Sequence, residues 1–282
     1  MKATHTSAFA ALRRGRQNLL LLAAMSLALL AVGSTPAVAD DSTTAAKPDA
    51  DQILRAASAR LAGAKQFSFK AHREIDAALL VGRDVAEDAE VEVTVQRPNK
   101  VFAVGKSQLG ERQAYADGKT FSLVDAGMNF YATVPMRTSL DGLVDKIDEK
   151  YGFTPPLAEF VLSNPYKEFH RQARTVTYLG PGSYSEGSPN SESVDCHRLL
   201  LSGHGVEAEV WVGVNDQLIR KLVATFIDRP GNPQIRIEFA DWNLAAQVTD
   251  GEFTYVPPPG ALKIPMKTTA EMAAAPATTE TK

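Results

Sequence analysis

Residues 206–242, VEAEVWVGVNDQLIRKLVATFIDRPGNPQIRIEFADW, decide how this chain folds. Ala208, Val210, Val212 and Val214 alternate with Glu207, Glu209 and Trp211, the period of a strand buried on one face only. NDQ (215–217) turns that run into LIRKLVATFID, and RPGNP (229–233) turns it again into QIRIEFADW, where Ile235, Ile237 and Phe239 share a face. Connections this short cannot make parallel crossovers, so the three runs form an antiparallel meander.

The same pattern appears upstream. AEVEVTVQ (89–96) alternates Val91, Val93 and Val95 with acids and Thr94, and RPNK (97–100) turns it into VFAVGKS. ADGK (116–119) and DAGMN (125–129) flank TFSLV, and FYATVP follows. Helical spacing interrupts the strands twice. DADQILRAASARLAGA (49–64) sets Ala50, Ile53, Leu54, Ala57 and Leu61 on one face, with Asp49 as N-cap and Gly63 as terminator. TSLDGLVDKIDEKYG (138–152) is capped by Ser139 and carries Leu140, Leu143, Val144 and Ile147, and PPLAEFVLS (155–163) is a shorter helix. LGPGSYSEGSPNSES (179–193) is expected as a loop before the second strand set. EFTYV (252–256) is expected as a last strand that closes the final sheet edge, because Pro257, Pro258 and Pro259 cannot donate to a ladder. These elements predict an α+β, mainly β fold: one large curved antiparallel sheet, an unclosed half-barrel, covered by a few helices.

Residues 1–39 read as a secretory signal peptide. Lys2, Arg13, Arg14 and Arg16 form a basic start, an apolar run spans 19–32, and Ala37-Val38-Ala39 precedes Asp40 as a small-x-small cleavage site. The apolar run is short for a membrane span, so no stable span is expected after cleavage between Ala39 and Asp40. The expected organisation is therefore signal peptide 1–39, flexible leader 40–48, one domain over 49–265 and a disordered tail over 266–282. The whole chain carries 30 Lys and Arg against 33 Asp and Glu. Cleavage would remove four basic and no acidic side chains, shifting the net charge from −3 to about −7. That balance offers no footprint for nucleic acid. Cys196 is the only cysteine, so stability rests on the core rather than on disulfides.

FIDRPGNPQIRIEFADWNLAAQVTDGEFTYVPPPGA (226–261) resembles the C-terminal region of LolA-type periplasmic lipoprotein carriers. The matching positions are Asp228, Gly231 and Asn232, then Phe239 and Asn243, then Phe253, Tyr255, Pro258 and Gly260. YADGKTFSLV, NFYATVP, CHRLLLSG…EVWV and DQLIRKL together resemble a family of uncharacterised predicted periplasmic proteins, a domain of unknown function grouped with that carrier fold. The resemblance spans about residues 51–264. It implies an unclosed β-barrel lidded by helices around an interior for acyl chains. The carriers latch their lid with an arginine. Arg73 and Arg83 lie in the corresponding part of this chain, but no motif aligns either with the latch, so neither takes that role from the resemblance.

The residues present no constellation for chemistry. GSYSEG has the composition of a nucleophile elbow with the wrong spacing. Cys196 and His197 are neighbours on a strand, so their side chains point to opposite faces. His197 and His204 flank a turn without further ligands, and the acidic run 84–92 alternates with apolar residues as a solvated strand face does. The chain is therefore expected to be no enzyme and to hold no metal and no cofactor. The expected function is an exported periplasmic carrier or chaperone that binds a lipid, an acyl chain or a lipidated protein. Candidate cavity residues are Phe69, Val93, Phe102, Phe121, Leu123, Phe130, Leu143, Ile147, Phe160, Val210, Val212, Phe226 and Ile237. An envelope interaction or sensor module with a protein partner is the alternative, and a hydrolase the third.

Overall fold

The computed structural model describes residues 47–80, 84–185 and 192–274. Helix α1 (Ala50–Gly63) begins where the Asp49 carboxylate accepts from the amides of Asp51 and Gln52 at 2.9 and 3.2 Å. It buries Leu54, Ala57 and Leu61. A first meander follows: β1 (Gln66–Ile75), β2 (Glu87–Gln96), β3 (Lys100–Ser107), β4 (Gly110–Asp117), β5 (Thr120–Asp125) and β6 (Phe130–Pro135). Three helices interrupt it, α2 (Leu140–Tyr151), α3 (Ala158–Val161) and α4 (Pro165–Gln172). A second meander comprises β7 (Thr175–Tyr184), β8 (Val194–Gly203), β9 (Val206–Gly213), β10 (Ile219–Phe226) and β11 (Gln234–Asn243). Near the C-terminus come β12 (Leu262–Lys263) and α5 (Thr269–Ala274).

All twelve strands join one open sheet in the order β12-β6-β5-β4-β3-β2-β1-β11-β10-β9-β8-β7. The two meanders meet at the antiparallel β1–β11 pair, with Arg73 opposite Ile237 and Ala71 opposite Phe239. Register puts Phe67, Phe69, Ala71 and Ile75 on the same face as Val91, Val93, Val95, Ile237, Leu222 and Val210. That face carries the core, and the apolar sides of α1, α2 and α3 complete it. The mainly β, antiparallel architecture with a few covering helices is the one the strand periods predicted.

Two local expectations are corrected, and two further elements were not foreseen. EFTYV is not a strand: Asp250–Phe253 forms a 3-10 turn closed by a Thr249–Glu252 capping box. The edge strand follows the prolines instead, and β12 pairs with β6 in parallel. The supposed loop at 179–193 begins as strand: β7 continues to Tyr184, and Pro181 is tolerated because β7 lies at the sheet edge. Residues 186–191 of that stretch lie outside the described residues. Helix α4 is one of the unforeseen elements, capped by Asn164 with Pro165 in its first turn. Part of the expected tail carries the exposed helix α5. The signal segment with Ala39 and Asp40 lies outside the described residues.

Candidate functional site

The helix-covered face divides into two unlike wings. Over β8–β11 it is filled: Val210, Val212, Phe226, Ile237 and Phe239 are almost fully buried. Phe239 packs against Phe69 and Phe160 with ring centroids 5.7 and 4.7 Å apart. Over β3–β6 the same face is unevenly covered, with Ala116, Phe121 and Ala132 buried among less covered neighbours. Val101, Ala103, Ala114, Leu123 and Val134 are half-buried, as are Tyr151 and Phe153 at the end of α2, and all pack against the core. This wing is an apolar shelf with partial solvent access.

The candidate cavity residues sort accordingly. Phe69, Val93, Phe121, Leu143, Ile147, Phe160, Val210, Val212, Phe226 and Ile237 come together in one core cluster. Leu123 sits on the half-open shelf, and register places the half-buried Phe130 opposite Asp125 on that side of the sheet. Phe102 is a correction. It pairs with Thr94 and Tyr115, one residue out of phase with Val101 and Ala103, so it faces away from the helices. There it stacks on Tyr115 at 4.8 Å, and Tyr115 and Tyr131 both meet Tyr255.

Arg97 fastens the helices to the sheet. It directly follows β2, and its guanidinium lies at the C-terminal ends of two helices, where carbonyls lack intrahelical donors. Nε donates to the Ala64 carbonyl at 3.2 Å, Nη1 to Val161 at 2.9 Å and Nη2 to Leu162 at 3.0 Å. The same group lies 5.4 Å from the Phe67 ring centroid. Burial pulls its pKa down, while the charge of Asp141 opposes that change. Asp141, in the first turn of α2, also accepts from the Ser163 amide and hydroxyl at 3.1 Å. Thus α1, α2 and α3 converge on one cation. No sequence pattern pointed to Arg97, because its three acceptors are set by tertiary packing.

Arg73 supplies a second polar contact inside the apolar interior. It is 3% exposed on the helix side of β1 and hydrogen-bonds Glu87 of β2. Glu159 of α3, also 3% exposed, adds its negative charge. Burial drives the Arg73 pKa down against both carboxylates, and its Nε and Nη1 make no hydrogen bond among the described residues. Arg83 lies outside the described residues.

At the other end of the helix layer, Asp51 of α1 accepts from Tyr166 at 2.8 Å, and His170 Nε2 stands 2.6 Å from the same carboxylate oxygen. Arg55 lies 4.2 Å from the Tyr166 ring centroid, so α1 and α4 are joined by a polar clamp. A surface pocket of about 350 Å³ opens beside this layer, lined by Asp49, Gln52, Ile53, His197, Val212 and Gln217 among others. His197 faces it, whereas Cys196 is fully buried and its thiol pKa is raised by burial. The adjacent pair therefore does not form a nucleophile and base. His204 is exposed in the turn after β8, apart from His197.

The family described as predicted periplasmic protein (DUF2092) matches residues 50–267. No curated protein matches the chain. Among solved structures, the LolA superfamily protein NE2245 from Nitrosomonas europaea is 11% identical, with a TM-score of 0.34, covering 74% of this chain and 99% of its own. The MucA/MucB complex of Pseudomonas aeruginosa gives 14% identity and a TM-score of 0.39 over 74% of this chain and 62% of that one. A DUF1329 family protein from Desulfovibrio piger gives 8% identity and a TM-score of 0.30 over 74% and 98%.

Proposed function

The chain belongs to the DUF2092 family of predicted periplasmic proteins, and from that premise we propose that it carries or chaperones a hydrophobic ligand beneath its helix layer. The ligand class is a lipid, an acyl chain or the acyl group of a lipidated protein. The observation that carries this reading is the pairing of a half-covered apolar shelf with a polar fastening at Arg97. The helices pack into the core through their apolar sides, and the guanidinium adds a few directional bonds at their ends. Apolar burial of an entering chain, at about 0.8 kcal/mol per methylene, would offset the loss of such bonds. The shelf of Val101, Ala103, Ala114, Leu123 and Val134 is where that chain would lie, and movement of α2 and α3 would widen it. The reading is non-catalytic.

The test is native mass spectrometry of protein purified from the periplasm, followed by lipid extraction. Retention of acylated species, reduced when Leu123 or Ala103 is replaced by Glu, supports the proposal. Protein that never retains acyl ligand, from cells or from added lysolipid, overturns it.

A further inference from the structure

We propose that the sheet face opposite the helices carries a mononuclear binding site for a divalent cation of the zinc class, built by His72 and Glu74 of β1 with Asp88 of β2. The placement follows from register. His72 stands opposite Glu90 and Glu74 opposite Asp88, so four side chains form a two-by-two grid on one face. One ring nitrogen of His72 and one carboxylate oxygen each of Glu74 and Asp88 lie within 4.8 Å of one another.

The hydrogen bonding around the imidazole assigns the roles. Nδ1 lies 2.8 Å from Glu90 Oε1, and in the tautomer that donates from Nδ1 to that carboxylate Nε2 carries the lone pair. Nε2 lies 3.5 Å from Glu74 Oε1. Ligands at zinc bond lengths of about 2.1 Å in a tetrahedron stand about 3.4 Å apart. The second oxygen of Glu74 is held by Arg236 Nη1 at 3.4 Å, which leaves Oε1 turned toward the ring. Asp88 Oδ1 lies 3.6 Å from Nδ1, on the Glu90 side of the ring, and becomes the third ligand by swinging its side chain toward Nε2. Glu90 is thus the positioning carboxylate that fixes the tautomer of a metal-binding histidine.

The neighbouring cations do not fill the gap. Lys70 pairs with Asp241 at 2.8 Å, and Lys106, opposite Glu90, lies 3.7 Å from Glu111. One imidazole and two carboxylates suit zinc or a similar first-row ion better than calcium, which takes six to eight oxygens. The grid is open to solvent, so an ion enters without movement of the fold, and waters complete its shell. Bound there, it ties β1 to β2 independently of any ligand beneath the helices.

The test is calorimetric titration of tag-free, chelator-stripped protein with zinc chloride, with calcium chloride as the control. One zinc per chain is expected, with affinity reduced at least tenfold by His72→Ala and by Asp88→Asn, and about tenfold by Glu90→Gln. Cobalt(II) substitution should give visible d–d bands that His72→Ala abolishes. Thermal melts of the metal-free variants should match the wild type, since all of these side chains lie at the surface. Absence of stoichiometric zinc binding, or equal affinity in wild type and His72→Ala, overturns the proposal.

Discussion

Arg97 Nη1 donates to the Val161 carbonyl at 2.9 Å, which joins the residue after β2 to the last residue of α3. Together with the bonds to Ala64 and Leu162, it makes one side chain the meeting point of sheet and helices. Replacing Arg97 by Ala leaves three helix-end carbonyls without their charged donor. The expected loss is about 3 kcal/mol in urea unfolding. Hydrogen exchange should rise selectively over residues 140–172. Arg97→Lys should restore little, because a single ammonium cannot reproduce the fork. Unchanged exchange in the helices of Arg97→Ala would show that packing alone holds them.

Arg73 should be the costlier arginine. Its cation faces Glu87 and Glu159 in the buried interior. Arg73→Met removes the positive charge and leaves two buried carboxylates, a change expected to cost about 3–5 kcal/mol. Arg73→Met combined with Glu87→Gln and Glu159→Leu should recover most of that loss. Denaturant midpoints of the single and triple variants check it, and a triple variant no more stable than the single one contradicts it.

The clamp between α1 and α4 should weaken in acid. Burial works to raise the Asp51 pKa, but hydrogen bonds from Tyr166, His170 and Arg55 together outweigh it and hold the carboxyl below its ordinary 3.8. A carboxyl depressed in the fold stabilises fully above its unfolded pKa and loses that contribution as pH falls through the folded value. Asp51→Asn should therefore lower stability near pH 7 and flatten the decline below about pH 4. Urea midpoints at several pH values measure this. Parallel pH profiles for wild type and variant would exclude the clamp as their source.

The two wings should respond differently to truncation. Phe239 is fully buried against Phe69, Phe160 and Trp242, so Phe239→Ala is expected to cost about 3–5 kcal/mol. Leu123 lies on the half-covered shelf, where less contact is lost, and Leu123→Ala should cost about 1 kcal/mol. Leu123→Ala should nevertheless reduce binding of an acyl probe more than a conservative core change such as Ile237→Val. Thermal melts and fluorescent fatty-acid titrations on the same proteins separate the two effects. Equal losses at both sites would place no shelf there.

Strand periodicity and short turns made the architecture legible, because alternation records which face is buried wherever only one face is. Val91, Val93 and Val95 or Ile235, Ile237 and Phe239 report it directly. Helix α2 was legible down to its Ser139 cap and its four buried apolar residues. Phe102 misled because an aromatic on the far face looks the same as one in the core until register is known. EFTYV misled because alternation alone cannot tell a paired strand from an extended segment lying on a sheet. Arg97, Arg73 and the His72 grid were illegible for a common reason. Most of their partners lie 14 or more positions away in the chain, and only folding brings them together.

The crossing of residues 244–261 has a consequence for the order of assembly. This strap leaves β11 at the middle of the sheet, lays Phe253 and Tyr255 over the far face of the first meander, and delivers β12 to the outer edge of β6. A chain made from its N-terminus completes β1–β6 early, yet the outer flank of that meander waits for almost the last folded residues. Until they arrive, β6 presents an unshielded ladder on which another chain could add a strand. The C-terminal strap covers the Phe130–Tyr131 end of that edge, last and from the opposite end of the chain.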